Sequence, residues 1–209
     1  MTDLRTIFDK YGADKGYKHH YDEVYESLFA PKKDEAINFL EIGIWKGLGM
    51  ESLREYFPNG RIYGVDIFTR VTPAEVHVLK KSRTRWLKAD STNPETYGLL
   101  RNEFGVQFDY ILDDGAHYPN ANKLTFRHTH NFLKPGGVYI IEDVWPLDIM
   151  TLDELKHPWL SRYPDRYSQL ENVSFLNELK DSGYELNRYD LRKRSGCPDS
   201  YIITLRKPK

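Results

Sequence analysis

The segments Asp113-Asp114-Gly115-Ala116-His117 and Glu142-Asp143 carry the strongest chemical signal in the chain. Each acidic pair follows a short apolar run of the kind that forms a buried strand. Were those strands neighbours in one sheet, four carboxylates would converge at its ligand-binding edge. Unpaired, the charges repel strongly at low local dielectric, so either their pKa values rise or a cation is bound. Oxygen donors suit a hard divalent ion, with Mg²⁺ the best match. Zn²⁺ prefers several His or Cys, and only His117 stands close in sequence.

The second signal is the run Glu41-Ile42-Gly43-Ile44-Trp45-Lys46-Gly47-Leu48-Gly49, where an apolar strand turns into a helix. Glycine there lets a ligand approach the backbone without interference from Cβ. A dinucleotide turn requires Gly-x-Gly-x-x-Gly, and Trp45 stands where the pyrophosphate needs bare backbone, so NAD is disfavoured. Asp66 ends the next apolar run, and its two oxygens suit both hydroxyls of a ribose. An adenosine-type ligand fits these residues.

These groups need a scaffold, and hydrophobic periodicity supplies one. Strands are expected at 37–43, 61–66, 84–90, 108–114 and 138–142, with helices at 48–57, 93–104 and 121–133, the last closed by Lys134-Pro135-Gly136-Gly137. The alternation predicts an α/β, Rossmann-like fold: a mostly parallel sheet with helices on both faces and ligands at the strands' carboxyl ends. Residues 1–36 read as two short amphipathic helices around Tyr11-Gly12-Ala13-Asp14-Lys15-Gly16, forming an N-terminal cap. Residues 144–166, rich in Trp, Pro and His, read as a substrate-side insertion. A helix at 167–181 and strands at 184–191 and 201–205 close the sheet edge, giving seven strands with an antiparallel C-terminal one.

The 209 residues fit a single domain. With 40% hydrophobic and 29% charged residues the chain has the composition of a globular protein. Thirty basic against 31 acidic residues leave a net charge of −1, which argues against a nucleic-acid or anionic-membrane partner. The lone Cys197 and the absence of an apolar leader segment suggest a reducing cytoplasm. Whether the 15 Tyr, 10 Phe and 4 Trp pack a core or line a pocket is open at this point.

The Glu41–Gly49 turn resembles motif I of the Rossmann-like, class I S-adenosyl-L-methionine methyltransferases. In them the loop carries the methionine moiety and the acid at Asp66 holds the ribose. Asp90, with Ser91 beside it, matches the position that contacts adenine, although capping of the following helix explains Asp90 equally well. Asp-Asp-Gly-x-His followed by Ile-Glu-Asp resembles the macrocin and mycinamicin type sugar O-methyltransferases and their cephalosporin-hydroxylase-like relatives. That resemblance implies Asp114, Glu142 and Asp143 as metal ligands and His117 as the base. It also implies that Tyr11, Asp14 and Lys15 lie near the cofactor with Glu41, Gly43 and Gly47. Ala13 departs from the family's threonine in that segment. Asp113 is assigned to the cofactor side, in a structural or supporting role rather than as a metal ligand. His19, His20 and Tyr21 are candidates to meet the acceptor, and Trp145 to stack on a sugar face.

The expectation is therefore an Mg²⁺-dependent S-adenosylmethionine O-methyltransferase acting on a saccharide or glycoside hydroxyl, in a homo-oligomer that family resemblance makes a dimer. A catechol-type methyltransferase is one rival, since vicinal phenolic oxygens chelate a metal in the same way. A non-catalytic adenosine-binding module of the same fold is another.

Overall fold

The computed structural model describes residues 3–209. Seven strands form one sheet: β1 (Asn38–Ile42), β2 (Arg61–Asp66), β3 (Thr84–Lys88), β4 (Phe108–Asp113), β5 (Leu133–Ile141), β6 (Glu185–Asp190) and β7 (Tyr201–Arg206). Their order is β3-β2-β1-β4-β5-β7-β6. The first five pair in parallel, and β7 runs antiparallel to both of its neighbours, β5 and β6. Strand order reverses between β1 and β4, and the crevice outside their carboxyl ends is where ligands bind in such sheets.

The central strands read as largely apolar runs because both sheet faces are covered, with Glu41 in β1 and Asp109 in β4 the charged exceptions. Helices α1 (Leu4–Tyr11), α2 (Asp14–Tyr17), α3 (Asp22–Phe29) and α4 (Leu48–Tyr56) belong to the first half of the chain. Side chains of α1, α3 and α4 form one core with Phe39, Tyr110, Leu112 and Ile140. After α5 (Glu95–Leu99) come α6 (Pro119–Thr129), α7 (Pro158–Arg162), α8 (Gln169–Asp181) and α9 (Arg192–Ser195). Phe126 of α6 and Phe175, Leu176 and Leu179 of α8 pack on the other face with Leu40, Ile111 and Ile141. Much of the aromatic load is packing: Phe29 lies with its ring centroid 4.9 Å from that of Tyr110, 5.5 Å from Phe39 and 5.6 Å from Phe57.

Several boundaries differ from those periodicity suggests. The N-terminal region holds three helices and a 3₁₀ turn, Ala30–Lys32, rather than two helices. The helix expected over 93–104 is α5 followed by a π-helical stretch, Leu100–Phe104. Lys134-Pro135-Gly136-Gly137 does not close α6, which ends at Thr129. It lies within β5 as a bulge, the register jumping from Phe108↔Leu133 to Tyr110↔Val138. The reason is tertiary: Gly136 N donates to Lys207 O and Lys207 N to Gly137 O, so the segment after β7 captures a sequence that locally reads as a helix stop.

Candidate active site

Strand alternation sorts the acids before any contact forms. In β4 the side chains of Tyr110 and Leu112 face α1, α3 and α4, whereas Ile111 faces the opposite core. Asp113 follows Ile111 in that alternation, and Asn122 of α6 donates to it at 2.9 Å. Burial raises its carboxyl to about 6 against the Asn122 bond. Its remaining oxygen accepts from Gly115 N at 3.2 Å, so Asp113 braces the loop. Three carboxylates, not four, therefore meet at the ends of β4 and β5: Asp114, Glu142 and Asp143.

Lys15 enters among them. Its Nζ lies 2.6 Å from Asp114 Oδ2, bonds to Glu142, and stands 3.9 Å from Glu41 Oε1. The repulsion that argues for a bound cation is thus partly met by the chain's own ammonium. Burial opposes charge on Lys15, but Asp114, Glu142 and Glu41 hold its pKa well above the ordinary value. Burial would raise Asp114, yet Lys15 and His117 keep it below the usual carboxylate range. Glu142 is raised by burial despite Lys15, and its second oxygen accepts from Tyr25 OH.

His117 stands at the open side, with 31% of its side chain exposed. Its Nε2 is 3.0 Å from Asp114 Oδ1 and its Nδ1 3.6 Å from Asp143 Oδ2. Burial pulls its pKa down, but the two carboxylates prevail and push it up to about 10. One donor atom each from Asp114, His117 and Asp143 lie within 4.8 Å of one another. These residues surround a place for a small hard cation, with His117 inside the triangle and Glu142, held by Lys15 and Tyr25, outside it. Asp143 also accepts from Tyr21 OH at 2.6 Å, and burial raises its pKa against His117 and His19.

The other half of the crevice is the turn after β1. Gly43 has φ +93°, and a Cβ there would sit 2.0 Å from Asp114 O, so only glycine lets the two strand ends close up. Gly47, at φ +77°, caps α4. Asp66 accepts from Ile44 N at 2.8 Å and Trp45 N at 2.9 Å on one oxygen, and from Phe68 N on the other. The expected ribose acid is thus also the residue that shapes the turn. Trp45, Phe68, His117 and Asp143 all have positive φ without being glycine, a concentration of backbone strain at the crevice rim. Glu41 is buried, which raises it to about 8, and its Oε2 has no hydrogen-bond partner. An unsatisfied acid beside a glycine turn fits the polar methionine end of the cofactor that the sequence suggests.

The remaining expected residues divide. His19 is buried, with Nδ1 2.7 Å from Ser200 Oγ and its ring stacked on Tyr21 at 5.0 Å, so both line the Asp143 side. Asp14 lies 3.8 Å from His19 Nε2. His20 turns away to Arg5, and Tyr11 donates to Glu55 at 2.5 Å. Asp90 accepts from Thr92 N at 2.9 Å, capping a turn rather than α5, and Ser91 bonds Thr125. Trp145 is buried with Leu147, Met150 and Leu160, packed at 5.0 Å from His157, so it is core of the insertion. Tyr25, which no local pattern marks, is the addition at Glu142, and Ser200, which lies in the Pro198–Ile203 segment that weakly echoes the family resemblance, is the one at His19.

No protein-family model matches the chain. It is 33% identical over 200 residues, 90% of its length, to an 8-demethyl-8-alpha-L-rhamnosyl tetracenomycin-C 2'-O-methyltransferase of Streptomyces olivaceus. Over 151 residues, 68% of its length, it is 28% identical to the mycinamicin VI 2''-O-methyltransferase of Micromonospora griseorubida. This chain is kin to the macrocin and mycinamicin type sugar O-methyltransferases. It spans only 47% and 36% of the lengths of those two relatives. Among solved structures, the methyltransferase MycE of the mycinamycin pathway, in complex with Mg, S-adenosylhomocysteine and mycinamycin VI, superposes with a TM-score of 0.74 at 21% identity. All of this chain and 54% of that one are covered, so the fold is that of the class I methyltransferases. Among the described residues no helix is long and apolar enough to cross a membrane.

Proposed function

We propose that the chain transfers a methyl group from S-adenosyl-L-methionine to a hydroxyl of a sugar or glycoside, with Mg²⁺ at the acidic cluster. The observation that carries the reading is the closure of the Gly43 turn directly onto Asp114, which sets a cofactor cradle against a hard-cation donor set. A Cβ on Gly43 would collide with Asp114 O and one on Gly49 with the Glu41 carboxylate, so glycine at both positions keeps the turn tight around Glu41, whose Oε2 is unpaired.

Asp114 and Asp143 would hold the metal, with Glu142 beside them and His117 on the open side. S-adenosylmethionine supplies an electrophilic methyl on a sulfonium, and a divalent cation supplies acidification and alignment of vicinal acceptor oxygens. The chain's own residues then do the remaining work. The Gly43–Gly47 turn, pinned by Asp66, fixes the donor end. Asp114 and Asp143 fix the acceptor end, and Tyr21 holds Asp143 in place. His117 takes the hydroxyl proton at a ring nitrogen, which requires its neutral form; Asp114 and Asp143 favour its protonated form, and a divalent cation held by those two acids would offset their charge and favour the neutral one. The similarity to a mycinamicin VI 2''-O-methyltransferase and to an 8-demethyl-8-alpha-L-rhamnosyl tetracenomycin-C 2'-O-methyltransferase supports a glycoside here.

Methyl transfer with and without chelator, measured over a panel of glycosides and catechols, tests the proposal. Metal-stimulated methylation of glycosides in preference to catechols is the expected result. Chelator-resistant turnover, or none with any hydroxyl acceptor in a protein that binds S-adenosylhomocysteine, refutes it.

A further inference from the structure

We infer that Lys15 is a resident cation of the acidic cluster, one that a divalent ion must displace from Asp114 and Glu142 in order to bind fully. The inference rests on the metal-dependent reading above and extends it to a residue outside the donor set. Lys15 is only 4% exposed, and its Nζ occupies Asp114 Oδ2 at 2.6 Å together with one oxygen of Glu142. His117 takes the other oxygen of Asp114, and Tyr25 the other oxygen of Glu142. A metal that draws on both acids therefore meets an ammonium already in their coordination space. Two cations sharing the same buried carboxylate oxygens repel strongly, so their occupancies exclude each other.

The same geometry provides a place for the displaced ammonium. Glu41 Oε1 lies 3.9 Å from Nζ, and Glu41 Oε2 is buried without a partner. A short movement of the flexible lysine end trades Asp114 and Glu142 for Glu41, and the charge is never left buried and unpaired. Glu41 belongs to the glycine turn, and a Cβ on Gly49 would come within 2.9 Å of Lys15 Cε. Lys15 thus sits between the metal side and the cofactor side of the crevice, with partners on both. Its competition keeps cation affinity low, and Glu41 sets how readily it gives way.

The test is a titration with Mn²⁺ alone, in the absence of cofactor and acceptor, with free ion read by electron paramagnetic resonance. Lys15→Met, similar in length but uncharged, should bind Mn²⁺ about ten-fold or more tighter than wild type. Glu41→Gln, which removes the receiving carboxylate, should bind it about three-fold or more weaker. In the Lys15→Met background the Glu41 effect should shrink to within about two-fold, because Glu41 acts through Lys15. If Lys15→Met does not fold, Lys15→Gln, whose amide still donates to Asp114, carries the same expectation. Affinity equal to or weaker than wild type in the folded lysine variant overturns the inference, as does a Glu41 effect that persists undiminished without Lys15. Mn²⁺ bound by neither wild type nor variant would remove the metal reading and the inference together, whereas equal binding by both removes the inference alone.

Discussion

Gly43 and Asp114, 71 positions apart, meet so closely that a Cβ on the first would lie 2.0 Å from the carbonyl oxygen of the second. The cofactor turn and the acidic loop are therefore one piece of backbone packing: Asp114 N donates to Ile42 O at 2.8 Å, and Gly43 N to Val65 O. Gly43→Ala should cost about 2–4 kcal/mol, since it adds a backbone clash to an unfavourable φ. The shift of the urea unfolding midpoint measures it. A variant as stable as wild type would mean that the two loops part readily.

Asp66→Ala removes the acceptor of three backbone amides that shape the turn. The expected loss is about 1–3 kcal/mol of stability, together with at least about ten-fold weaker S-adenosylhomocysteine binding. Denaturation and calorimetry on the same preparation separate the two effects. Stability lost with affinity retained would confine Asp66 to the turn and leave the ribose to another residue.

His117→Ala should lower turnover by about 10²–10⁴, the usual range for a lost general base, with S-adenosylhomocysteine affinity nearly unchanged. The comparison needs both a methyl-transfer rate and a binding isotherm. Intact turnover per folded molecule would move the proton acceptor to His19 or Tyr21, which flank Asp143.

Asp109, at the opposite end of β4, predicts a pH dependence of stability. Burial would raise its carboxyl, but Lys134 at 2.7 Å, Lys32 at 2.8 Å and the Asn38 amide together hold it below the ordinary 3.8. A depressed folded pKa means stabilisation that is complete above pH 3.8 and lost as the pH falls below that toward the folded value. Asp109→Asn should therefore be less stable than wild type at pH 7, and the gap should narrow as the pH falls below about 4. Urea midpoints for both proteins across that range check the sign. A gap independent of pH would show that the aspartate contributes packing and not charge.

The sheet was legible because parallel strands buried on both faces must be predominantly apolar. Phe108 to Leu112 and Val138 to Ile141 announce themselves, and the acids after them fall at strand ends by necessity. The placement of Asp66, Asp114 and Asp143 at strand ends was readable for the same reason, whereas the reason for glycine at 43, its approach to Asp114 O, was not. What stayed hidden involves partners distant in sequence. Lys134 to Gly137 carries every local mark of a helix stop, and only the passage of the chain after β7 beside it makes it a bulge within β5. Asp113 and Asp114 were told apart only by the family resemblance; their partners, Asn122 for one and Lys15 for the other, come from strand alternation and packing in the closed fold. Lys15 itself reads as a basic residue in a glycine loop; that its ammonium reaches acids 99 and 127 positions away depends on α2, packed against α1, being carried to the ends of β4 and β5. The sequence alone determined which groups are available at the carboxyl edge, because periodicity and residue type are local properties. Which carboxylates face the ammonium was decided by the packing of the N-terminal helices, because charge pairing in a buried crevice depends on distances that only the closed fold defines.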